Sequence, residues 1–246
     1  MRFLAPLLLS SLVCAQAPPA GAPADPATLT VDQVLAKIYD AQGGLAKLKA
    51  IQSKRILGHI EGLPDPVSFD QLNARPDRIR LETKTEAKPA SEGVAAVPAT
   101  IQIKTYDGRT GWAWSDTEAP RVLEPEEVKV LDSDFDGPLL DPASKGVKIE
   151  YLGPQTFQNQ KALVLKVTLK DKRVQTMYFD PKSFLKFSQV NGEGKAGTEL
   201  DFWDYQEMDG IPMAYTVIIG PVSVRVDKIT LNAPASDADF QPPAKK

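Results

Sequence analysis

Few side chains in this sequence are able to do covalent chemistry. His59 is the one histidine and Cys14 the one cysteine, so a Ser-His-Asp or Cys-His unit would have to be built on His59. No Gly-x-Ser-x-Gly elbow accompanies it. Alternation puts His59 on a strand with Leu57 and Glu61, a solvated or rim position. A zinc centre lacks ligands for the same reason. Gly192-Glu193-Gly194-Lys195-Ala196-Gly197 is rich in glycine but has neither the spacing nor the Ser/Thr after lysine that a phosphate loop needs, and it reads as a hairpin loop. Asp132-Ser133-Asp134-Phe135-Asp136-Gly137 matches the first six positions of a calcium loop. The twelfth position, which needs a bidentate acid, falls on Ala143, and the ninth on Leu140. The segment therefore reads as an acidic turn between two short helices, and no metal or cofactor is expected.

The apolar residues offer more. Trp112 and Trp114 share one face of a strand by alternation, as core packing or as the wall of a cavity. Phe135, Leu139 and Leu140 follow among Asp and Pro residues. Phe202 and Trp203 point to opposite faces of their strand. Gly93-Val94-Ala95-Ala96-Val97-Pro98 sits in a long connection, where it is either a hairpin tip or a flap that touches a membrane or partner.

The elements that must position these residues are mostly strands. Thr30 to Ile51 is the exception: Val31, Val34, Leu35, Ile38 and Tyr39 recur at helical spacing, Thr30 is placed to cap, and Gly43-Gly44 should break the helix before Leu45, Leu48 and Ile51. From Ser53 the period is two. In Ala162 to Lys170, Leu163, Leu165, Val167 and Leu169 oppose Lys166, Thr168 and Lys170, and Pro221 to Val226 alternates likewise, so each strand has one dry face. Tight turns such as Arg75-Pro76-Asp77, Asp107-Gly108, Asn191-Gly192 and Asp209-Gly210 argue for an antiparallel meander. Ten or eleven strands is more than a flat sheet holds, so the fold class is mainly β, a curved antiparallel sheet forming an incomplete, half-open barrel. Its apolar face needs a cover, and only the N-terminal helix and the helical insertion at Pro120 to Gly146, which starts at Pro125-Glu126-Glu127, are available.

The chain opens with Arg2, an apolar run from Phe3 to Val13, and Ala15-Gln16-Ala17, the pattern of a cleaved export signal over 1–17. The apolar run is about half the ~20 residues of a membrane span. Lipidation at Cys14 is the alternative, though Val13 is not the small residue that signal prefers. Residues 18–28 form a Pro/Ala tether, 29–242 one domain and 243–246 a tail. The net charge of −3 supplies no basic footprint for nucleic acid.

Beyond these readings, several segments resemble the LolA-like family of outer-membrane lipoprotein-sorting carriers. They are the amphipathic N-terminal helix, Asn73-Ala74-Arg75-Pro76-Asp77-Arg78-Ile79-Arg80-Leu81-Glu82, Tyr106-Asp107-Gly108-Arg109-Thr110-Gly111-Trp112, the Pro-rich helical insertion with Phe135-Asp136-Gly137-Pro138-Leu139-Leu140-Asp141, and the closing Phe240-Gln241-Pro242. The resemblance implies an unclosed barrel whose concave face, lidded by helices, holds acyl chains of lipoproteins or phospholipid. It also implies a periplasmic monomer without enzymatic activity, served by an inner-membrane transporter and an outer-membrane acceptor. Arg75 matches the arginine that latches the lid in such carriers. Trp112, Trp114, Phe135, Leu139 and Leu140 are then the expected lining or lid. The chain departs from the better-known carriers in the Ala87 to Pro98 insertion and in its lid, Glu124 to Gly146. Two other readings remain open: a scaffold or lipid-sensing domain with a filled core, and a hydrolase using His59.

Overall fold

The computed structural model describes residues 26–90, 95–131, 134–192, 194 and 197–243. The export signal, Cys14, residues 18–25 of the expected tether, Asp132 and the last three residues lie outside the described residues. The rest of the tether is not free. Pro26–Thr28 form a 3-10 turn, and the Pro26 carbonyl accepts a hydrogen bond from Tyr151 Oη at 2.8 Å.

Among the described residues thirteen strands make a single sheet. They are β1 (Ser53–Glu61), β2 (Val67–Ala74), β3 (Arg78–Thr85), β4 (Thr100–Tyr106), β5 (Gly111–Ser115), β6 (Arg121–Val122) and β7 (Lys148–Phe157). After them come β8 (Gln160–Thr168), β9 (Val174–Phe179), β10 (Lys186–Asn191), β11 (Thr198–Met208), β12 (Ile211–Ile219) and β13 (Val222–Leu231). The spatial order β6-β5-β4-β3-β2-β1-β13-β12-β11-β10-β9-β8-β7 is a meander joined in its middle by the first and last strands. All pairings are antiparallel, and β6 and β7 stay unpaired with each other, so the barrel is open. The two-residue β6 helps take the count past the ten or eleven expected.

Helix α1 (Val31–Ala41) starts where Thr30 Oγ1 accepts from Gln33 N and the Gln33 side chain returns a bond to Thr30 N. Its stripe, Val34, Leu35 and Ile38, buries against Leu163, Leu165, Val167, Met177 and Phe179 of β8 and β9. Gly43 and Gly44 end it with φ of 91° and 94°. A side chain on Gly43 would also collide with the Gly210 carbonyl, since its Cβ would lie 2.4 Å from that oxygen. This close approach seats the short α2 (Leu45–Ala50) beside the β11–β12 turn, where Lys47 Nζ donates to the Asp209 carbonyl at 3.0 Å.

Strand β8 departs from the expectation of one dry face. Ala162 and Val164 are buried on the reverse side as completely as Leu163 and Leu165 are under α1. Val164 pairs with Tyr178, and Phe157 stacks on that ring at 3.8 Å between centroids. The end of β7 thus roofs the back of β8.

Candidate functional site

Arg121–Val122 and Leu123 lead from the sheet edge into a segment that crosses its inner face. Pro125 occupies the first turn of α3 (Pro125–Val130), Glu127 Oε2 accepts from Glu124 N at 3.0 Å, and Arg121 forks onto both Glu127 oxygens at 2.8 Å. This fork and the backbone bond hold the Glu127 carboxyl down at a pKa of about 2. Leu123 and Leu131 bury with Ile79 and Ala113, and Val128 leaves no room for a side chain at Gly111. Among the described residues of the insertion there is one helix, where two were expected. From Asp134 to Gly146 the described chain runs in turns and bends, because Pro138, Pro142, Gly137 and Gly146 interrupt any helical run.

This segment covers a largely apolar, partly open cavity of 140 Å³. Phe135, Leu139 and Leu140 form its roof, Tyr39, Leu48 and Ile51 its helical side, and Ile211, Met213 and Leu231 its floor. The floor continues along one sheet face. Register partners share a face, so Ile229, Ile56, Ile60, Val224, Val217 and Val67 are aligned with it. Phe69 joins them opposite Gly58, where a Cβ on Gly58 would stand 2.6 Å from the ring. Most of these residues are half-buried, an apolar strip leading away from the cavity.

Polar contacts hold the roof. Arg75 Nε donates to the Ile51 carbonyl at 2.5 Å, its Nη2 to the Leu48 carbonyl at 3.0 Å, and its Nη1 pairs with the Asp136 carboxylate. The guanidinium also lies 5.0 Å from the centroid of Phe135. Tyr39 Oη donates to the Leu139 carbonyl at 2.5 Å, Lys49 pairs with Asp141 at 3.0 Å, and Lys145 Nζ donates to the Gly137 carbonyl at 2.6 Å. Burial, with Asp141 and Asp32 nearby, raises the Tyr39 pKa. Its hydroxyl therefore stays protonated and able to donate.

Three of the five residues expected to line a cavity, Phe135, Leu139 and Leu140, thus meet in one, with Arg75 beside them. Trp112 and Trp114 do not join them. Gly111 and Ala113 face α3, so the two indoles project from the reverse of the sheet, Trp112 aligned with Val122 and Trp114 under the Arg80 guanidinium at 5.7 Å. Their placement near the lid is corrected on that ground: small residues were needed where α3 lands. His59 is on this reverse face as well, between Glu61 at 3.5 Å and Asp227 at 3.1 Å. Asp134 and Asp136 of the acidic turn are engaged by Lys145 and Arg75. Among the described residues no cluster of three or more His, Cys, Asp and Glu has the arrangement of a metal site, and no helix is long and apolar enough to cross a membrane.

No protein-family model matches the sequence, and no curated protein matches it. Solved structures do. A LolA superfamily protein from Nitrosomonas europaea aligns over 87% of this chain and 98% of its own, with a TM-score of 0.56 at 10% identity. A DUF1329 family protein from Desulfovibrio piger aligns over 89% and 98%, TM-score 0.54 at 15% identity. A domain assigned to outer membrane lipoprotein sorting, from Vibrio parahaemolyticus, aligns over 81% and 97%, TM-score 0.52 at 14% identity. Unclosed sheet, inner-face helices and these likenesses agree: by fold, the chain is similar to the LolA-like lipoprotein-sorting proteins.

Proposed function

We propose that the protein is a non-enzymatic periplasmic carrier that takes the acyl chains of lipoproteins or lipids beneath its lid and moves them toward the outer membrane. The observation that carries this reading is the small, largely apolar cavity at one end of a half-buried apolar strip, roofed by a segment that polar contacts help to hold. At 140 Å³ the cavity is smaller than the ~300–1,000 Å³ of ordinary ligand pockets. Loading therefore requires the roof, Phe135 to Leu140, to swing outward and open the strip beneath. Burying acyl chains there contributes about 0.8 kcal/mol per CH₂, enough to bind without a catalytic group.

In this reading residues 29–242 act as one binding unit, exported by the 1–17 signal and working as a monomer between an inner-membrane donor and an outer-membrane acceptor. Arg75 is the latch: it ties α2 to Asp136 of the roof, and its release frees both. The two tryptophans on the reverse face take no part in the cavity.

The test is native mass spectrometry of the processed protein purified from periplasm without detergent, with extraction of any bound lipid. A co-purified phospholipid or acylated peptide, lost in Leu139→Asp, is the expected result. An unloaded mass, with no uptake of offered lipids or acylated peptides, would point instead to a scaffold whose interior stays filled. Turnover of an ester substrate that His59→Ala abolishes would point to a hydrolase.

A further inference from the structure

On the far side of the roof lies a second, open cleft of 740 Å³. Pro138 lines this cleft while Leu139, the next residue, lines the apolar cavity, so at these two residues the roof is a partition between an open cleft that carries charged side chains and a largely apolar cavity. The β2–β3 turn supplies one further wall, with Pro76 and Asp77, and the β8–β9 hairpin another, with Leu169, Lys170 and Arg173.

Most charges here are engaged. Lys145 holds Asp134 at 2.7 Å, and Arg173 holds Asp171 at 2.7 Å. Two are not: among the described residues neither Asp77 nor Lys170 has a hydrogen bond or an ion pair. Gly108 backs Asp77 closely enough that a Cβ there would sit 3.0 Å from Oδ1. Lys170 runs along Gly146, whose Cβ would be 3.5 Å from its Cγ. The cleft thus presents on two different walls a carboxyl and an ammonium that lack a hydrogen-bond partner, Asp77 lying near the charges of Asp134, Arg78 and Asp107, beside the apolar Val147 and Leu169.

We propose that this cleft receives the zwitterionic headgroup of a phospholipid, its ammonium on Asp77 and its phosphate on Lys170, while the acyl chains pass the Pro138–Leu139 partition into the cavity. The proposal rests on the carrier reading above. A headgroup with one amine and one phosphate satisfies both unpaired side chains in charge-assisted bonds, and the partition places polar and apolar parts of one amphiphile on its two sides. An acylated peptide end brings no phosphate and leaves Lys170 unmatched.

The test uses the processed protein and calorimetry with four short-chain probes: dihexanoyl phosphatidylethanolamine, dihexanoyl phosphatidylglycerol, dihexanoylglycerol and a diacylated peptide. Phosphatidylethanolamine is expected to bind at least about tenfold tighter than dihexanoylglycerol. Asp77→Asn should remove most of that advantage and leave phosphatidylglycerol unchanged. Lys170→Gln should weaken both phospholipids, and neither substitution should alter dihexanoylglycerol binding. Equal affinity for phosphatidylethanolamine and dihexanoylglycerol, or a preference for the diacylated peptide, would overturn the headgroup site and leave the carrier reading standing. Binding of none of the four would overturn both.

Discussion

Helix α1 and the lid segment cover the same face of one sheet by different means. Under α1 the contact is apolar and complete: Val34, Ile38, Leu163, Leu165, Val167 and Phe179 have no exposed surface. Each such side chain contributes about 1.5–3 kcal/mol on burial, so α1 leaves the sheet only when the protein unfolds. The roof from Phe135 to Leu140 has a smaller apolar anchor, with Leu140 buried and Leu139 at the edge of the α1 core, and otherwise borders a cavity and is fastened by Arg75, Tyr39, Lys49 and Lys145. A typical hydrogen bond contributes only about 0.5–1.5 kcal/mol net, because water competes for the same groups. One cover is a filled apolar contact and the other joins a small apolar anchor to polar fastenings; in the proposed carrier reading the first is the fixed wall and the second the one that moves.

The largest effect that separates them should come from Ile38→Ala. Removing this side chain from a filled contact is expected to lower global stability by about 2–5 kcal/mol, read by urea denaturation, whereas Leu139→Ala beside the existing void should cost less than half as much. Equal losses would erase the distinction. Next, Arg75→Leu removes three polar contacts of the fastening, including charge-assisted bonds of about 1.5–3 kcal/mol. Hydrogen exchange of the amides in 134–146 should accelerate about tenfold or more while those of α1 keep their protection. An unchanged lid in that experiment would show that Arg75 is no latch. Tyr39→Phe deletes one bond and keeps the ring, so the same amides should speed up severalfold, within the ~0.5–1.5 kcal/mol of one hydrogen bond.

The smallest effect concerns the base of the lid at α3. Glu127 has its pKa lowered to about 2 against an ordinary 4.5, so its contribution is fully present above pH 4.5 and is lost as the pH falls toward 2. Amide protection in α3 should decline across that window and not above it. Glu127→Gln should flatten the decline, and a fall already seen near pH 6 would implicate other groups.

Periodicity made much of this legible. The stripe of α1, the Gly43-Gly44 break, the short strands and the helical start at Pro125 all follow from spacing and turn chemistry, which act between neighbours in sequence. The roof residues Phe135, Leu139 and Leu140 stood out because large apolar side chains among Asp and Pro must be covered by something. What spacing could not give is which side of a strand faces inward. Trp112 and Trp114 share a face, but the inner face is the one with Gly111 and Ala113, small because α3 presses on it. Two small residues alternating with two large ones carry that signal. Tyr39 was visible as part of a stripe, yet its hydroxyl bond to Leu139 joins residues 100 positions apart, and the Arg75–Asp136 pair spans 61. Such partners are chosen by tertiary geometry alone. The floor residues Ile211, Met213 and Leu231 looked like ordinary strand residues because they are; the cavity exists only where the roof stops short of them.

The pairing of β1 with β13 has a consequence for how the chain assembles. Every other neighbouring pair in the sheet is also a pair of consecutive strands, so β1 to β6 and β7 to β13 can each form by local zippering. The join between the two halves brings Lys54 beside Leu231 and must wait for loop closure across most of the chain. The lid is the sole covalent link between these halves at their outer edges. A circular permutant, cut within the lid and joined from the C-terminal segment to Pro26 with α1 and α2 retained, would shorten the loop that the β1–β13 join has to close. It would be expected to assemble its sheet faster than the natural order does, while losing the continuous strap that roofs the cavity.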